Sequence, residues 1–123
     1  MKQSSLDRIF LAEVSGNQTQ QLELFALLNL GLLQSLASGV LSPAEVVKRF
    51  YHAENCLYVQ QHFRQKNANA IMSHGVQLPD LFDCLPAEEA RREFYHELEI
   101  IRSLCLKLLE KGRSSNSADR AAA

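Results

Sequence analysis

The chain has 123 residues, long enough for one domain with a real core, and 46% of them are apolar against 22% charged. With 13 basic and 14 acidic residues the net charge is −1, and no basic block stands out. That balance argues against nucleic acid and against an anionic membrane surface as partners, since both need clustered lysine and arginine.

Proline and glycine are few, tryptophan is absent, and β-branched residues never alternate over a long run. The composition favours helix over sheet. Cys56, Cys84 and Cys105 are an odd number at wide spacings with no Cys-x-x-Cys pair. This is the usage of reduced thiols in a cytosolic protein. The start does not read as a signal peptide, because Asp7, Arg8 and Glu13 interrupt any apolar core.

In chain order, Ser5 caps a short segment that carries Leu6, Ile9, Phe10 and Val14 toward the core. Its spacing suits a helix, and Ile9 to Val14 also suits a strand. Ser15-Gly16 ends it. Asn17 with Gln20 three positions later forms a capping box for the next helix.

That helix, over Leu22 to Leu41, organises the chain. The stretch holds nine leucines, so its helical propensity is high. At 100° per residue Leu22, Phe25, Ala26, Asn29, Leu32, Leu33, Leu36 and Val40 share one face, while Leu24 and Leu27 lie behind. A membrane span of about 20 apolar residues is the alternative. Glu23, Asn29 and Gln34 inside it, and the lack of flanking basic clusters, argue against that. Asn29 is a buried polar group, read as a structural amide bonded to a neighbouring helix, or as the lining of a small ligand cavity. Gly31 marks the close approach of another helix.

Ser38-Gly39 ends the helix, and Ser42-Pro43-Ala44-Glu45 starts the next with a capping box and proline at the first helical position. The tight connection predicts an antiparallel helical hairpin. The third helix is predicted from Pro43 to at least Gln65. Its inner stripe is Val46, Phe50, Ala53 and Leu57, and Lys48, Asn55 and His62 form a solvated strip. Whether it runs on through Asn67 to Ser73 is evenly balanced, with Gly75 as a stop. Val76 to Leu85 reads as a connector in which Pro79 starts one or two helical turns. Pro86 opens a long last helix whose stripe is Ala87, Ala90, Phe94, Leu98, Ile101, Cys105 and Leu108. Gly112 ends it, giving a single helical domain over residues 1–112 and a disordered tail over 113–123.

No glycine-rich phosphate loop, nucleophile elbow or complete metal signature is present. Glu93-x-x-His96 is half of the motif used by di-iron bundles, but the equivalent position before His52 is Arg49, which repels a cation. His52 and Cys56, four apart, offer two metal ligands or a histidine–thiol pair, which His96, His62 or Cys105 would have to complete.

The fold class expected is all-α: an irregular helical bundle built on an antiparallel helical hairpin plus a long C-terminal helix. The function expected is that of a small cytosolic, non-enzymatic protein-binding or regulatory protein of adaptor, inhibitor or immunity type. It binds a protein partner or itself as a homodimer, uses no cofactor, and touches neither nucleic acid nor membrane. Tyr51, Tyr58, His62 and Tyr95 are the candidate anchors. The alternative is a metal- or small-ligand-binding bundle using His52, Cys56, His96 and Glu93. An enzyme would need a pocket near Asn29 lined with titratable groups.

Overall fold

The structure is a computed structural model describing residues 8–122, with side chains described as far as residue 111. The expected cap Ser5 and core residue Leu6 lie outside the described residues. Helices α1 (Gln18–Ala37), α2 (Pro43–Arg49), α3 (Ala53–Tyr58), α4 (Lys66–Cys84) and α5 (Ala87–Ala122) follow in order, with a 3-10 turn at Leu11–Glu13 and a π-helical turn at Val59–Phe63. No strand occurs among the described residues, and the fold is an all-α bundle. No helix of the described residues is long and apolar enough to cross a membrane. The segment read as helix or strand before Gly16 is neither: it is extended backbone around the 3-10 turn, with the Ile9 amide donating to Arg49 O at 2.8 Å.

Local chemistry sets the first hairpin. Asn17 and Gln20 form a capping box for α1, and Ser42 and Glu45 form one for α2. The Ser42 amide bonds hold the Glu45 carboxyl below the usual carboxylate range. Gly39 ends α1 at φ 80, a left-handed conformation that glycine adopts without penalty. The returning chain then runs back along α1. Tyr51 meets Asn29, Phe25 meets both Phe50 and Phe63, Tyr58 meets Gln21, and Gln18 meets His62 and Phe63. The Phe25 contacts apart, partner numbers fall on one side as they rise on the other, so the hairpin is antiparallel.

The returning arm of that hairpin is not the single helix expected from Pro43 to at least Gln65. It breaks at Phe50-Tyr51-His52 and again at Arg64, which takes a left-handed conformation at φ 52. The first break turns Tyr51 inward, where it is 1% exposed. Downstream the faces change. Ala53 and Leu57, expected in the core, face solvent, and Asn55, expected in solvent, is buried. In the broken geometry both buried polar side chains, Asn55 and Tyr51, have hydrogen-bond partners.

Gly75 explains how Tyr51 fits. It is not a helix stop. It lies inside α4, and a Cβ there would stand 2.6 Å from the Tyr51 ring. The aromatic ring therefore lies directly on the α4 backbone. At Gly31, expected to serve such an approach, no described residue outside the helix's own backbone lies within 4 Å of a Cβ position. α4 also runs through Pro79, although proline cannot donate to the Gly75 carbonyl four residues before. Burial of Ala68, Ile71, Met72 and Leu78 on one stripe holds the helix across that gap.

The most extensive packing is α4 on α5, followed by α1 on α5. His74 pairs with Glu97, and Phe82 packs on Phe94, so α4 and α5 form a second antiparallel hairpin around Leu85-Pro86. α5 buries the expected stripe, Ala90, Phe94, Leu98, Ile101, Cys105 and Leu108, while Ala87 is exposed. Its backbone carries on through Gly112 to Ala122, into the segment expected to be unstructured. No proline follows Gly112, and one interior glycine costs a helix only about 1 kcal/mol.

The two glycines make opposite predictions. Gly75→Ala forces a methyl into the Tyr51 ring and is expected to cost at least about 1–3 kcal/mol, as overpacking does. Gly31→Ala meets empty space and is expected to gain up to about 1 kcal/mol from helix propensity. Urea denaturation of the two variants in dilute solution measures both.

Candidate functional site

The polar centre of the molecule lies at the break between α2 and α3. Asn55 is its hub. Its Oδ1 accepts from the Leu11 amide at 3.0 Å, and its Nδ2 donates to Ile9 O at 2.9 Å and Phe50 O at 2.8 Å. A buried carboxamide with every group paired stabilises the structure, whereas an unpaired one costs about 1–3 kcal/mol. Asn55 thereby ties the N-terminal segment to the break.

His52 caps α3. Its Nδ1 accepts from the Asn55 amide at 3.4 Å, so the ring proton sits on Nε2 and is donated to Ile9 O at 2.9 Å. Both ring nitrogens are occupied. Cys56, one turn on, donates its thiol to Tyr51 O at 3.7 Å. Burial pushes its pKa up and keeps it a thiol rather than a thiolate. His52 thus has no nitrogen left to ligate a metal or to activate Cys56. Glu93 and His96 are exposed on α5. Among the described residues, no three His, Cys, Asp or Glu side chains gather so as to hold a metal ion. The convergence that a His52, Cys56, His96 and Glu93 site requires is not formed.

Asn29 is fully buried in α1. Its Nδ2 donates to Phe25 O of the same helix at 2.9 Å, and its Oδ1 accepts from the Tyr51 hydroxyl at 2.6 Å. It is a structural amide, and its partner is an aromatic hydroxyl at the chain break rather than a neighbouring helix. Burial, with the Cys105 thiol beside it, pushes the Tyr51 hydroxyl well above the ordinary tyrosine range. Cys105 is itself buried, which pushes its pKa to about 12. Tyr51 is accordingly a core residue and not a partner anchor.

The other expected anchors divide. Tyr58 stacks on His62 with ring centroids 4.2 Å apart and donates to Gln21 Oε1 at 3.0 Å. The pair walls a shallow groove of about 250 Å³ that also includes Phe10 and the exposed Leu57. Tyr95 is exposed on α5 and packs edge-on against Phe94, well away in sequence from that groove. A larger cleft of about 510 Å³ is lined by Cys56, Gln60, Asn69, Met72, Ser73, Val76 and Gln77. Neither cleft includes Asn29, and the larger one presents amides and a protonated thiol rather than an acid–base pair.

Two features escape a reading of the sequence. Asn55 falls on the outside of any continuous helix, and only the break turns it inward. His74, which beside Gly75 reads as a helix-end or loop residue, sits within α4 and bonds Glu97 of α5 at 2.6 Å. Residues 23 apart on separate helices give no local signal. Comparison with family models, curated proteins and solved structures finds no match to this chain.

Tyr51 makes the stability pH-dependent at the alkaline end. The folded state holds its proton more tightly than the unfolded chain, where tyrosine titrates near 10. The contribution is therefore complete below about pH 10 and is lost as pH rises above it. Tyr51→Phe is expected to cost about 1–3 kcal/mol at pH 7, by leaving Asn29 Oδ1 unpaired, and to flatten the fall in stability above pH 10. The buried thiols of Cys105 and Cys56 supply the slope that remains. Urea denaturation between pH 7 and pH 11 measures the difference.

Proposed function

We propose that the chain is a small cytosolic binding protein of adaptor, inhibitor or immunity type, acting by docking another polypeptide, a second copy of itself included. The observation that carries this reading is the groove between the 3-10 turn and α3. Its floor and walls are fixed by hydrogen bonds, yet Leu57 stands about half exposed at its edge beside the Tyr58–His62 stack. A shallow, mainly apolar groove of about 250 Å³ is small for a drug-sized ligand, whose pockets run from about 300 to 1,000 Å³. It is the right size to receive one or two side chains of a protein partner, and aromatic residues on rigid helices make good anchors. Tyr58, His62, Leu57 and, at a separate place, Tyr95 are the contact residues of this reading. Three free cysteines, of which Cys105 is buried and Cys84 exposed, accord with a reducing compartment.

The metal- or ligand-binding alternative loses its support in the hydrogen bonds that occupy His52 and in the protonated Cys56 thiol. Native mass spectrometry of the chain purified without chelator separates the two. The bare polypeptide mass is the expected result. A stoichiometric excess matching zinc, iron or an organic ligand would overturn the binding-protein reading.

A further inference from the structure

We infer that the outer face of α1 is a self-association surface, on which a second copy docks antiparallel about a two-fold axis at Gly31. The inference rests on the self-association named above and supplies its site. Leu24, Leu27, Gly31, Ser35 and Ser38 recur at three- and four-residue steps, so they form one stripe along the helix. This stripe lies opposite the buried face of Phe25, Asn29, Leu32 and Leu36. Leu27 is 51% exposed and Leu24 39% exposed.

Three observations select a second copy as the occupant. The first is Gly31. A glycine weakens a helix, and here no described residue outside the helix's own backbone comes within 4 Å of a Cβ position to require it. A helix crossing from outside does require it, since a missing side chain lets two backbones approach closely. The second is the size pattern. The stripe is large before Gly31 and small after it. In an antiparallel pair centred on Gly31, Leu27 faces Ser35 of the second copy and Leu24 faces Ser38. Each leucine then covers a serine, on both sides of the axis, as an isologous contact demands. The Ser38 hydroxyl already donates to Ser35 O at 3.3 Å, so covering it strands no donor.

The third is charge. Glu23 is the one charged residue among the 20 of α1. In the antiparallel pair the two Glu23 residues lie eight positions either side of the axis, about 24 Å apart along the helices at 1.5 Å per residue. That exceeds the screening length of about 8–10 Å. A parallel pair would bring the two carboxylates together and set leucine on leucine, leaving gaps at the serines. A contact of one helix pair is at the small end of interfaces, so association is expected at about 10–100 μM and reverses on dilution.

Sedimentation equilibrium of the full chain across that range tests the proposal. The chain is expected to dimerise, and Leu27→Glu to weaken the dimer at least tenfold while circular dichroism stays unchanged. Leu106→Glu, at an exposed position on α5, is the control expected to leave it intact. For orientation, Leu24→Cys with Ser38→Cys is placed in a chain carrying Cys56→Ser and Cys84→Ser. Mild oxidation is expected to link that double variant between chains and not Leu24→Cys alone. A chain monomeric throughout overturns this surface and the self-association it rests on. A dimer indifferent to Leu27→Glu overturns the surface alone, leaving the binding reading in place. Ready linkage of Leu24→Cys by itself overturns the antiparallel arrangement.

Discussion

One contact constrains most of this fold: the Tyr51 ring lies on the backbone of α4 at Gly75 and its hydroxyl reaches Asn29 in α1. Three separate stretches of chain must supply their parts at once. α1 supplies an acceptor inside an apolar face, α4 supplies a position without a side chain, and the segment between them must stop being helical so that tyrosine can turn inward. A buried phenol without a partner is costly, and a buried carboxamide without one is costly too. Pairing them removes both penalties, and the price is a broken helix.

The break has its own support. Once the helix ends at Arg49, the amides opening α3 need acceptors, and His52 supplies one. The carbonyl of Phe50 needs a donor, and Asn55 supplies it. Residues 50–55 thus form a self-consistent polar unit inside an apolar bundle. This arrangement removes His52, Tyr51 and Asn55 from the list of groups free to meet a ligand. Among the exposed residues that remain, Leu57, Leu27 and Tyr95 stand out as large apolar side chains on helices.

The all-α class, the Asn17 and Ser42 caps, the buried stripe of α5 and the burial of Asn29 were all legible in the residues, because each depends on neighbours within a few positions. The break at Tyr51 was not. Val46, Phe50, Ala53 and Leu57 keep helical spacing, and nothing local says that a bond to Asn29, 22 residues earlier, outweighs it. Gly31 and Gly75 exchanged roles for the same reason. A glycine in a helix announces that space is needed, but which partner needs it is a property of the tertiary fold. Pro79 read as a helix start because its local preference is strong; the buried stripe on either side of it was stronger. Of the candidate site, Tyr58 and His62 were legible as candidate anchors, His62 on the solvated strip, while the groove they wall also needs Phe10, which arrives from 48 residues before Tyr58 by way of Asn55.

The Asn55 carboxamide has a consequence for how the molecule opens. The segment from Ile9 to Glu13 bonds through the backbone of Ile9 and Leu11 to Arg49 at the end of α2, His52 in the break and Asn55 in α3. It has no comparable tether to α4 or α5 among those bonds. Unwinding of α3 therefore removes the Asn55 bonds to Ile9 and Leu11 in the same event, and couples the N-terminal segment to that helix. Because Phe10 on one side and Leu57 and Tyr58 on the other belong to these two segments, the groove is not carved into the core. It exists only while two distant pieces of chain remain stitched together, and whatever occupies it holds that stitch closed.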